Sequence, residues 1–107
     1  MLVLLPMPVQ LPFWAIGGFD VTREILHSRI GTPHYIETDG LRTFGGEEDW
    51  WAFVNDDGQR LMVCLQAPYK KANLYADPPD CVAAESALAR AIGNSEYRRY
   101  EPEPWFG

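Results

Sequence analysis

The sequence predicts an α+β domain in which a three- to five-stranded antiparallel meander carries two helices, packed mainly on one face. Three observations lead there. Residues 50–76 hold three runs rich in aromatic, β-branched and aliphatic residues, separated by Asp56-Asp57-Gly58 and Ala67-Pro68-Tyr69. Such runs between turn formers mark consecutive antiparallel strands. Residues 21–30 and 81–92 place apolar residues three and four apart, each behind an aspartate and ahead of a glycine, as a capped amphipathic helix does. Finally, 107 residues suffice for one compact domain and not for two.

Residues 1–19 read as an extended arm, because Pro6, Pro8 and Pro12 interrupt an apolar run and an interior proline costs a helix about 3 kcal/mol. Phe13, Trp14 and Ile16 are expected to plug onto the core, with Gly17 and Gly18 as a flexible joint. The core proper spans residues 20–93. Asp20 caps a first helix over 21–30, whose stripe is Val21, Ile25, Leu26 and Ile30, and Gly31 supplies a left-handed stop. His27 lies towards the polar side of that stripe. Residues 34–37 form a strand, with a turn at 38–40 and a return over 41–44.

The central strands can be read by face, since alternate residues of a strand point to opposite sides. Trp50, Ala52 and Val54 share one side, and Trp51, Phe53 and Asn55 the other. In the next strand Leu61, Val63 and Leu65 oppose Arg60, Met62, Cys64 and Gln66. Residues 71–76 make the third strand, with Ala72, Leu74 and Ala76 opposite Asn73 and Tyr75, and Lys70 and Lys71 guard a sheet edge. Large apolar groups on both faces call for cover on both. A second helix over 81–92, capped by Asp80 and stopped by Gly93, offers Ala84, Leu88 and Ile92, with Cys81 and Ala91 beside them. The tail, residues 94–107, is too rich in proline to end as a helix. Trp105 and Phe106 either pack back on the sheet or dock on a partner.

The chemistry is less legible than the fold. Net charge is -6, from 9 basic against 15 acidic residues, which disfavours a protein that works by neutralising nucleic-acid phosphates. An acidic domain suits a basic protein partner instead. Cys64 and Cys81 are too few for a disulfide scaffold and read as free thiols of a reducing compartment. The apolar start lacks a basic residue before it and is broken by proline, unlike a signal peptide, and no run reaches the about 20 apolar residues of a membrane helix. A cytoplasmic location is expected. No metal-ligand spacing, phosphate loop or nucleophile elbow is present, so no metal and no cofactor is expected. Cys81 at a helix start could be an activated thiol with His27 or His34 as its base, but a buried small hydrophobe explains it as well. Gly45 and Gly46 precede Glu47, Glu48 and Asp49, a solvated acidic loop or a contact for a basic partner.

The order of helix, I-G-T-P, G-G-E-E-D-W-W-A-F, D-G-Q-R, L-Y-A-D-P-P-D and helix, over residues 20–93, resembles small bacterial immunity proteins of the polymorphic-toxin type. The resemblance implies a non-catalytic inhibitor that covers a basic site on a partner, such as a toxin. The acidic residues Glu47, Glu48, Asp49, Asp56 and Asp57, with Trp51 among them, are the candidate partner-binding surface. Two further readings stand beside it. One is a structural module that forms a homodimer through the arm and the tail; the other is an enzyme using Cys81 or a carboxylate pair.

Overall fold

The computed structural model describes residues 3–4, 13–38, 47–66 and 70–105. Its elements in order are β1 (Val3–Leu4), β2 (Phe13–Phe19), α1 (Arg23–Ile30), β3 (Tyr35–Glu37), β4 (Glu48–Val54), β5 (Arg60–Gln66), β6 (Ala72–Asp77), α2 (Val82–Ile92), a 3-10 turn (Asn94–Glu96) and β7 (Tyr97–Trp105). The predicted return strand over 41–44, the glycine pair 45–46, the turn at 67–69 and Phe106 lie outside the described residues.

β4, β5 and β6 form the expected meander, in register from Glu48↔Gln66 to Val54↔Arg60 and from Arg60↔Asp77 to Leu65↔Ala72. The β4–β5 turn is closed by Asn55, whose Oδ1 accepts from the Asp57 and Gln59 amides at 3.0 and 2.9 Å, with Gly58 at a positive φ of 78°. The short side chain of Asn55 thus substitutes for a backbone acceptor.

The sheet is larger than three to five strands. Its path runs β1-β4-β5-β6-β2-β7, and β3 also pairs with β4. The extra strands come from the segments whose prolines argued against regular structure. β2 is proline-free and lies between β6 and β7, so Gly17 and Gly18 belong to an interior strand and are not a joint. β7 is a border strand, where Pro102 and Pro104 are tolerated because one edge needs no N–H donors. With β2 paired to β7 inside one chain, the backbones of the supposed arm and tail are joined to each other. β6 is interior, so Lys70 and Lys71, which lie just ahead of it, guard no edge.

Gly17 is required by close approach. A Cβ there would lie 2.6 Å from the Tyr97 ring and 2.7 Å from the Arg98 carbonyl oxygen. Its absence lets Tyr97 lie across β2 and pack on Phe19, ring centroids 4.7 Å apart.

Both helices cover one face. That face buries Ile16, Phe19, Trp51, Leu61, Val63, Leu65, Leu74 and Ala76 under Leu26 of α1 and Ala84, Leu88, Ala89 and Ile92 of α2. The alternation read from the sequence holds: Trp50, Ala52, Met62, Cys64 and Tyr75 cluster with Phe13 on the opposite face, where Trp50 stacks on Tyr75 at 5.9 Å. Helix starts shift by a residue or two. Thr22, not Asp20, caps α1 through Oγ1, which accepts from the Ile25 amide at 3.4 Å. Asp20 instead donates its amide to the Glu96 carbonyl. Cys81 takes the cap position of α2 with no side-chain cap bond. Gly31 ends α1 at φ 87°, as its lack of Cβ allows.

Candidate functional site

The expected acidic surface is divided by the fold, beginning with where β4 starts. Glu48 and Asp49 are strand residues, not members of a solvated loop. Asp49 alternates onto the helix face with Trp51, and both are fully buried. Glu48 points to the other face and is 7% exposed. These three residues are therefore withdrawn from the partner-binding set, because a group enclosed by its own fold cannot meet a partner's surface.

Asp49 is instead the anchor of α1. Arg23 Nε and Nη2 donate to Asp49 Oδ2 and Oδ1 at 2.8 and 3.0 Å, and His27 Nε2 stands 3.0 Å from Oδ2. Arg23 and His27 are four residues apart, so one side of the helix presents both. The forked guanidinium geometry matches the carboxylate with two parallel bonds. His27 is thus half-buried rather than solvent-facing, and its ring meets the edge of Trp51 at 5.5 Å and 84°. Trp51 Nε1 donates to the Gly31 carbonyl oxygen at 3.1 Å. That bond ties the end of α1 to the same strand. Glu47 lies at the rim, 3.4 Å from Arg23 Nη2 with its side chain 46% exposed.

Asp56 and Asp57 occupy the other end of β4. The six steps from Glu48 to Val54 span about 20 Å at 3.3 Å per residue, so no single contact patch joins them to Glu47. Both are exposed, and the register puts other acids at the same end of the sheet. Arg60 pairs with Asp77 across β5 and β6, Asp80 is exposed just after β6, and Glu103 is exposed near the end of β7. This end is an acidic pole, and the arginines that reach it, Arg60 and Arg99, are already paired with Asp77 and Glu85.

Sequence reasoning missed a third buried carboxylate, Glu85. It lies on the inner side of α2, 6% exposed, and accepts from the Tyr97 hydroxyl and from Arg99 Nη1. Arg99 also donates through Nη2 to the Pro79 carbonyl oxygen at 3.1 Å. Burial raises the Tyr97 hydroxyl pKa far above 10.0, and the bond to Glu85 adds to it. The spacing Glu85-Leu88-Ala89 does place Glu85 with the buried residues, a legible signal. Its partners were not legible, since they lie in a tail that did not read as a strand.

His34 joins the border of the sheet. Its amide donates to the Trp50 carbonyl at 2.8 Å, and its Nδ1 accepts from the Ala52 amide at 2.9 Å. The ring so fills the ladder between β3, opposite residues 48–50, and β1, opposite residues 53–54. Burial pushes its pKa below the ordinary 6.5. The candidate base pairing with Cys81 has no geometric support: His27 bonds Asp49 and His34 bonds Ala52. Cys81 is fully buried, and burial raises its thiol pKa, the reverse of activation. Among the described residues no group of three or more His, Cys, Asp or Glu could hold a metal, and no helix is long and apolar enough to cross a membrane. Compared with known proteins, the chain matches no family model, no curated protein and no solved structure.

Proposed function

We propose that this protein is a non-catalytic binding domain of the immunity type, whose acidic pole covers a basic site on a partner protein. The observation that carries the reading is the pole itself: Asp56, Asp57, Asp80 and Glu103 are exposed at one end of the sheet. Asp56 and Asp57 stay in the partner-binding set, and Glu47 contributes at most from the opposite rim. Carboxylates on a rigid hairpin steer a cationic partner and fix its orientation, and they act more on the association rate than on the lifetime of the complex. The Asn55 bonds that hold the turn make the tip rigid without using the Asp57 carboxylate.

The test begins with affinity capture from a cell extract at low and high salt. Association rates of the captured basic protein are then compared between wild type and an Asp56→Asn, Asp57→Asn double variant. The double variant should associate about tenfold more slowly at low salt, with a flatter salt dependence. An unchanged rate and salt slope would remove the pole from the interface.

A further inference from the structure

On the flank of the molecule, α2 and β7 enclose an open cleft of about 410 Å³, within the size range of small-molecule sites. Its build follows from two periodicities. Ser86 and Arg90 stand four apart on the outer row of α2, while Tyr97 and Arg99 stand two apart on one face of β7. Ala89 lies between, and its single methyl leaves the hollow open. Asn94, at the end of α2, closes one side.

The cleft is cationic in an acidic protein. Arg99 is fixed by Glu85 and the Pro79 carbonyl, so the Glu85 charge is internally matched. Arg90 is different. No hydrogen bond or ion pair joins its side chain, or those of Ser86 and Asn94, to another described residue. An unmatched guanidinium, a hydroxyl and an amide therefore line the same hollow as a second, immobilised guanidinium. Arginine beside neutral donors is the donor set that planar carboxylates and phosphates take.

We infer that the α2–β7 cleft binds a small oxyanion, a carboxylate or a phosphate, with Arg90 as its main charge partner and Ser86 and Asn94 as orienting donors. The site is separate from the acidic pole, and its success or failure leaves the partner-binding reading untouched. Calorimetric titration of the whole chain at low ionic strength, with inorganic phosphate and with succinate in separate runs, tests it. At least one should bind saturably with a dissociation constant of about 1 mM or tighter. Arg90→Gln should weaken that binding about tenfold, as loss of a charged hydrogen-bond partner does, and Asn94→Ala should weaken it less. Saturation by phosphate alone assigns the site to phosphate-bearing ligands, and by succinate alone to carboxylates. Absence of saturation with both anions overturns the inference, as does undiminished binding by a folded Arg90→Gln protein. If Arg90→Gln fails to fold, the Asn94→Ala titration decides alone: undiminished binding overturns the site.

Discussion

The two helices dock on the same sheet face with the same device turned around. At α1 the buried carboxylate is on the strand, Asp49, and the donors Arg23 and His27 are on the helix. At α2 the carboxylate is on the helix, Glu85, and the donors Tyr97 and Arg99 are on the strand. What differs is the apolar contribution beside each. α2 buries Ala84, Leu88, Ala89 and Ile92, whereas α1 buries only Leu26 from within the helix, with Val21 just ahead of it, and leaves Ile25 39% exposed. An eight-residue helix has little stability of its own. α1 therefore depends on its ion network far more than α2 does, and the comparison can be broken by mutation.

The largest effect is expected at Asp49. Asp49→Ala removes the buried acceptor that Arg23 and His27 share, although Arg23 keeps Glu47 at the rim, and loss of these charge-assisted bonds costs about 3 kcal/mol. Urea unfolding measures this, and a loss below about 1 kcal/mol would mean that α1 is held by packing after all. Glu85→Gln retains a side-chain acceptor for Tyr97 and sits beside a complete apolar face. Its expected cost is about 1.5 kcal/mol. Should Glu85→Gln prove the more damaging of the two, the contrast between the helices is reversed and must be abandoned.

Titration separates two regions of the sheet by sign. His34 is a histidine whose folded pKa lies below its unfolded 6.5, so the folded state binds fewer protons there. Stability is complete above about 6.5 and is lost as pH falls through that value towards the folded pKa. A second proton on the ring would also need the Nδ1 lone pair that the Ala52 amide occupies. Tyr97 is the opposite case, its hydroxyl being held protonated well above 10.0. The unfolded chain loses that proton first, so stability falls as pH rises beyond about 10. Unfolding curves of His34→Gln should be flatter than wild type only below about pH 6.5, and those of Tyr97→Phe only above about pH 10. Loss of both slopes in a single variant would contradict the assignment. The smallest effect on stability is expected at the tip, where Asp56→Asn and Asp57→Asn should stay within about 0.5 kcal/mol.

The candidate site was half legible, and Asp49 and Asp57 show why. Both are aspartates beside turn-forming or glycine-rich sequence, and composition treats them alike. Asp57 follows Asp56 and precedes Gly58, so its exposure could be read from turn chemistry. The fate of Asp49 depended on where β4 begins. Two residues of strand extension, Glu48 and Asp49, took both acids out of the supposed loop and turned Asp49 towards the helices, since side chains alternate strictly along a strand. No local signal announces that Arg23, 26 residues away, will meet it.

The sequence by itself determined the α+β class, the β4–β5–β6 meander, the face on which each of its side chains lies, and both helices with their glycine stops. These depend on period, turn residues and φ preferences, which are properties of a few neighbouring residues. The tertiary structure decided the rest: the insertion of β2 between β6 and β7, the use of a proline-bearing tail as a border strand, and the burial of Glu48, Asp49, Trp51 and Glu85. Those outcomes depend on partners far apart along the chain. A proline penalises a segment only where an N–H is needed, and a carboxylate is costly to bury only where no donor awaits it.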